Sequence, residues 1–166
     1  MAEEIEIDPV HGLSVGTVGE PGHRAFYIRA RGTYRTVTML VEKTQVQALC
    51  QRASELLEGR EPGTDKPEPF TAPADPDWRA GQMGVGMDPD RDLVVLVAQQ
   101  APESDADDPD SLPTLRAWVR PALMLGFAAA GLELVAGGRP VCPMCGLPMD
   151  PEGHVCPRKN GKSPVF

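Results

Sequence analysis

Three short β-branched or aromatic runs followed by one segment of helical period occur twice along the chain, and this order constrains the fold more than any other feature. In the first half the runs are Leu13 to Gly19, Arg24 to Arg31 and Tyr34 to Val41, with Gly32-Thr33 as a compact hairpin turn between the last two. From Thr44 onward, Val46, Leu49, Cys50, Ala53, Leu56 and Leu57 recur at helical spacing, and Gly59 stops the helix. In the second half, strands at Trp78 to Met87, Leu93 to Gln100 and Thr114 to Arg120 precede an apolar helix from Ala122 to Val135, closed by Gly137-Gly138. The predicted fold class is α+β, with two helices covering the buried faces of antiparallel sheets. Leu123, Met124, Leu125, Phe127, Leu132, Leu134 and Val135 leave the second helix apolar on most sides, so it should be the central one.

The halves also overlay in sequence. Val15 to Gly19 faces Ala80 to Gly84, and Val41 to Pro62 pairs without a gap with Val119 to Pro140, with identities Val41/Val119, Glu55/Glu133, Leu56/Leu134, Gly59/Gly137 and Pro62/Pro140. A tandem βββα duplication is one reading. The other is that two Gly-rich strands and two amphipathic helices align somewhere by chance. The chain divides into an α+β body at residues 1–139, with halves at 10–60 and 78–138, and a tail at 140–166. Residues 60–77, with five prolines and little apolar content, read as an extended, exposed connection.

The only cluster with a metal-binding spacing lies in the tail. Cys142 and Cys145 form a C-P-x-C-G knuckle, and His154 and Cys156 supply a second pair. A C-x-x-C turn brings two thiolates to one side, and Gly146 can take the positive φ that points backbone N–H groups at sulfur. Residues two apart in an extended segment leave the same face, so four ligands can converge. Three thiolates and one imidazole suit Zn²⁺ rather than Mg²⁺ or Ca²⁺, and four protein ligands leave no place for water, which makes the expected site structural. Such a site is worth on the order of 10–16 kcal/mol in small zinc peptides, enough to order a tail with little core. A disulfide and a redox C-x-x-C are the competing readings.

Asp and Glu number 24 against 16 Lys and Arg, and the net charge of −8 repels a phosphate backbone, so no nucleic-acid partner is expected. The opening MAEEIEID has no basic residue, unlike a secretory leader. The longest apolar stretch, Pro121 to Gly138, holds Glu133 and four glycines and is unlike a spanning helix. The expected location is cytoplasmic, with no membrane partner.

Other reactive side chains have plainer readings. Cys50 falls on the apolar side of the first helix and reads as a small buried hydrophobe. His11 and His23 sit in Gly-flanked loops, and a His23/Glu42 acid/base pair has nothing in the sequence to bring it together. Gly16, Gly19, Gly22, Gly81, Gly84 and Gly86 lack the helix and Lys-Ser/Thr of a phosphate loop and read as bulges or close strand packing. The acidic run Glu103 to Asp110 lacks the Gly and closing Glu of a calcium loop. Arg158, Lys159 and Lys162 form a small basic patch suited to an anionic partner segment.

The stretch Gly16 to Tyr27, the segment Val41 to Val46, the Gly81-x-Met83-Gly84-x-Gly86 strand and above all Gly138-Arg139-Pro140 through Gly161 resemble the actinobacterial family called domain of unknown function 3090. The resemblance runs nearly end to end. It carries no established activity, and the chain departs from it in a short 102–110 loop and an Ala-rich second helix. Family members commonly sit beside genes for a histidine-phosphatase-like and a kinase-like protein, which implies a shared pathway or complex. The leading expectation is a non-catalytic, zinc-bearing adaptor or regulatory module with a protein partner, such as a kinase-like or phosphatase-like neighbour product. The alternative is an enzyme or ligand sensor for a small phosphorylated or nucleotide-like metabolite, bound between the halves by Arg24, His23 and Glu42.

Overall fold

The computed structural model describes residues 2–19, 23–71 and 75–137. The strands are β1 (Glu4–Ile7), β2 (Gly12–Val18), β3 (Ala25–Arg31), β4 (Thr36–Val41), β5 (Trp78–Asp88), β6 (Leu93–Gln100) and β7 (Thr114–Val119). The helices are α1 (Lys43–Leu56) and α2 (Pro121–Ala136), and a single 3-10 turn covers Pro109–Ser111. After β1 the order is βββα twice, as the sequence predicts. Between β3 and β4 the turn sits one residue later than expected: Arg31 pairs with Thr36, and the Gly32 N–H donates to the Arg35 carbonyl at 2.7 Å, which leaves Thr33-Tyr34 at the tip.

The strands form one sheet in the order β1-β7-β6-β5-β4-β3-β2. Each trio is antiparallel internally. The expected all-antiparallel arrangement gives way at two joints, where β4 pairs parallel to β5 and β1 pairs parallel to β7. Those joints depend on chain crossings, which local periodicity does not encode.

The sheet is rolled. An open sheet with this order would hold its edges about 29 Å apart at ~4.8 Å per strand, whereas β1 and β2 are joined by residues 8–11 alone. The Val10 N–H donates to the Trp118 carbonyl in β7 at 3.0 Å, and the next residue, His11, donates to the Arg31 carbonyl in β3 at 2.8 Å. One bent segment therefore closes both ends of the order. The other joint is much thinner: only Met39 with Trp78 and Leu40 with Arg79 pair β4 to β5.

Alternation along the strands explains the core. Leu13 and Val15 of β2, Phe26, Ile28 and Ala30 of β3, Val37, Met39 and Val41 of β4, and Val94, Leu96 and Ala98 of β6 are buried and belong to one cluster with both helices. Val46, Leu49, Cys50 and Ala53 of α1 and Leu123, Met124, Phe127 and Gly131 of α2 are the buried faces of those helices. Gly137 ends α2 in the left-handed region at φ 65°, the usual role of a terminal glycine.

Residues 60–77 are irregular, as expected of a proline-rich segment, but their described part packs as a strap. The Arg120 guanidinium donates to Asp65 at 2.9 Å, and the Glu68 N–H donates to the Leu13 carbonyl at 2.8 Å on the free side of β2. The Phe70 ring stacks on Tyr27 with centroids 5.5 Å apart, and the Arg29 guanidinium lies 4.8 Å from the Phe70 centroid. Gly16 must lack a side chain, because a Cβ there would run into the Phe70 ring. Asp77 then ties the strap to β4: its N–H donates to the Thr38 carbonyl at 2.7 Å, and its carboxylate accepts from the Thr38 N–H at 2.8 Å.

Candidate functional site at the joint between β4 and β5

The thin joint is where the described surface opens. The β4 chain leaves the sheet at Val41 to start α1, while β5 continues to Asp88 with β6 as its partner. Glu42 stands at the N-cap of α1, and its backbone N–H donates to the Gln45 side-chain oxygen at 2.7 Å. The Gln45 amide reaches across in turn to the carbonyls of Ala80 and Gly81, at 3.2 and 2.7 Å, and so fixes the helix start against β5. β5 has a register shift between Ala80 and Met83, where Gly81 lies against the Ala101 backbone with 3.1 Å to a built Cβ. No larger residue fits that bulge without a shift.

Two hollows flank this tie. One, of about 420 Å³, is lined by Arg24, Ala25, Phe26, Leu40, Val41, Glu42, Lys43 and Arg79. It is amphipathic: Phe26 and Val41 give an apolar floor, and three cations face one carboxylate. Arg79 lies 3.8 Å from Glu42, and both are well exposed, so that pair is weak. The second hollow, of about 270 Å³, lies between Gln45, Ala48, Leu49 and Arg52 of α1 and Gly81, Met83, Gly84 and Val85 of β5. It is largely apolar, with Arg52 as its cation.

Arg24 and Glu42 are thus brought together at the junction of the two βββα sets. His23 is exposed and does not line the hollow. Lys43 and Arg79 complete the charged rim. Sequence reasoning singled out neither of them, and the position of Arg79 follows from the parallel joint. His11 is exposed and shares a 2.7 Å hydrogen bond with the Thr33 hydroxyl. Cys50 is fully buried, and burial pushes its thiol up to about 12, so it is no nucleophile near neutral pH. In the acidic loop the Asp107 carboxylate accepts from the backbone N–H groups of Glu103 and Ser104, at 2.8 and 3.1 Å, a local turn.

Cys142, Cys145, His154 and Cys156 lie outside the described residues, as do Gly22 and the basic residues Arg158, Lys159 and Lys162. Among the described residues, no three His, Cys, Asp or Glu side chains are grouped to hold a metal ion, and no helix is long and apolar enough to cross a membrane.

Neither the curated proteins nor the solved structures contain a match to this chain. A family model described as protein of unknown function (DUF3090) matches residues 5–156, a span that takes in the rolled sheet, both helices and all four Cys and His positions of the tail; the chain belongs to that family.

Proposed function

We propose that this protein is a non-catalytic interaction module, an adaptor or regulator working in the cytoplasm, that docks a partner protein along α1 and the free edge of β5. A Zn²⁺ held by Cys142, Cys145, His154 and Cys156 serves it as a structural ion. The observation that supports this reading is the abrupt end of β4–β5 pairing at Leu40 and Arg79, which leaves the rest of β5 beside an apolar groove. Unpaired strand edges are the part of a sheet most ready to join another chain. The two βββα sets are read as halves of a tandem duplication, which puts the docking surface at their junction. The zinc ligand set is coordinatively closed, and a closed site holds shape without activating water.

The partner proposed is a kinase-like or phosphatase-like product of a neighbouring gene. Calorimetric titration of the full chain with each product tests the reading. A stoichiometric complex with either one, weakened by Cys142→Ser, is expected. No association with either product, with the zinc site intact, would remove the adaptor role.

A second reading rests on the 420 Å³ hollow, whose Arg24, Lys43 and Arg79 suit a small phosphorylated or nucleotide-like metabolite bound for sensing or turnover. A saturable thermal shift with one such class of compound, abolished by Arg24→Ala, would favour it, because a ligand of the native state must stabilise that state.

A further inference from the structure

We infer that the groove between α1 and β5 receives an extended acidic peptide of the partner, added to the sheet as a further strand beside β5. The inference rests on the interaction-module reading and names the chemistry of its ligand.

The backbone argument comes first. From Met83 to Asp88, β5 is paired with β6 on one side, and among the described residues no other backbone hydrogen bond reaches this stretch. A strand uses alternate N–H and C=O groups on each side, so a row of donors and acceptors faces away from β6. Gln45 already satisfies the carbonyls of Ala80 and Gly81, so the free run begins past the bulge, at Met83. The six residues Met83–Asp88, at ~3.3 Å each, give a docking length of about 20 Å.

The edge also lacks the usual protection. Exposed edges are commonly blunted by lysine, proline or inward-pointing charge. Residues 82–87 of β5 read Gln-Met-Gly-Val-Gly-Met, with no charge and no proline. Among the described residues, nothing would lie within 4 Å of a side-chain carbon at Gly84 or Gly86, so these leave the backbone open to close approach. On the inner face Met83 and Val85 are only partly buried, while their β6 partners Ala98 and Leu96 are fully buried. With Ala48 and Leu49 they line the hollow of about 270 Å³. Every second side chain of an added strand would point into that space.

Charge selects the partner. The full chain carries −8, yet the two hollows along this edge hold Arg24, Lys43, Arg79 and Arg52 against one lining carboxylate, Glu42. Glu55, 3.6 Å from Arg52, and Asp88, at the far end of the β5 edge, are the other acids beside the groove. A local reversal of sign on an acidic protein favours a peptide with carboxylates at its ends and apolar residues between.

The test uses the full zinc-loaded chain and a seven-residue peptide of alternating valine and threonine with an aspartate at each end. Matched peptides carry asparagine or lysine at the ends, and a fourth is the aspartate peptide N-methylated at alternate residues. Hydrogen exchange of those Met83–Asp88 amides that face away from β6 is the readout. The aspartate peptide should slow exchange there by at least about tenfold, the lysine and N-methylated peptides should not, and Lys43→Glu with Arg52→Glu should weaken binding by about tenfold. Both substitutions are at exposed helix positions, so folding is preserved. Binding indifferent to N-methylation would overturn the inference, as would amides already slow without peptide. In the second case, slow exchange that is lost on dilution identifies a second copy as the occupant, and slow exchange that persists identifies the chain itself. If a neighbour product binds without altering these amides, the adaptor role stands and strand addition falls. If the peptide binds and no neighbour product does, the site stands and the proposed partner falls.

Discussion

Gly131 of α2 faces Cys50 of α1 so closely that a methyl group at residue 131 would overlap the Cys50 Sγ, with the Val46 Cγ1 3.4 Å away. This contact sets how near the two helices lie, and Cys50 is fully buried. Alanine is the better helix former by roughly 1 kcal/mol, but overpacking a filled core costs about 1–3 kcal/mol. Gly131→Ala is therefore expected to destabilise the wild-type chain. In a Cys50→Ala background the same substitution should be neutral or stabilising. Urea denaturation of the four-member cycle reads the coupling, expected at about 1 kcal/mol or more.

The strap makes a separate prediction. Phe70→Ala removes the ring that Tyr27 and Arg29 hold, and Gly16→Val places a side chain where that ring sits. Both should release residues 60–77 to limited proteolysis while the sheet stays folded. Phe70 is half-buried, so a loss of about 1–3 kcal/mol is expected, below that of a fully buried phenylalanine. Equal cleavage rates for wild type and both variants would mean that the strap is not held by Phe70.

Acid should weaken the fold through three surface carboxylates. Hydrogen bonds from Arg31, Arg91 and Arg60 hold Glu68, Asp8 and Asp92, respectively, below their ordinary ranges, with partial desolvation opposing the shift. Carboxylates with depressed folded values contribute stability that is full above the unfolded values, 4.5 for Glu68 and 3.8 for the aspartates, and is lost as pH falls through the folded ones. All three pairs are substantially exposed, so each contribution is small. Melting temperature should be flat from pH 5 upward and fall below about pH 4.5, and Glu68→Gln should make that fall shallower.

Thiol chemistry separates the four cysteines. In the native zinc-loaded chain none should react quickly at pH 8: Cys50 is buried with its thiol pushed up to about 12, and the other three are metal-bound in the proposed site. A chelator should expose Cys142, Cys145 and Cys156 while Cys50 waits for denaturant. Three reactive thiols before chelation would argue against the proposed ligand set.

Most of the elements were legible. Predicted and observed strands and helices agree within about two residues, because both periodicities are strong and the breakers Gly59 and Gly137 follow the helices closely. β1 was missed: Glu4-Ile5-Glu6-Ile7 alternates in the strand manner and buries Ile5 and Ile7, but the segment was read only for its lack of basic residues. The strap read as exposed because nothing local tells Phe70 that Gly16 leaves room for it. Arg24 and Glu42 could be singled out from sequence, while Arg79 and the open edge of β5 could not. Both of the latter depend on where a parallel joint between distant segments stops.

The closed coordination of the tail is the claim on which the non-catalytic reading turns. X-ray absorption at the zinc edge of the full chain measures it directly. The account predicts three sulfurs at about 2.3 Å and one nitrogen at about 2.0 Å, with no oxygen neighbour. A solvent oxygen bound to the ion, or a purified chain without zinc, would contradict it and turn attention to chemistry at the Arg24 and Glu42 hollow.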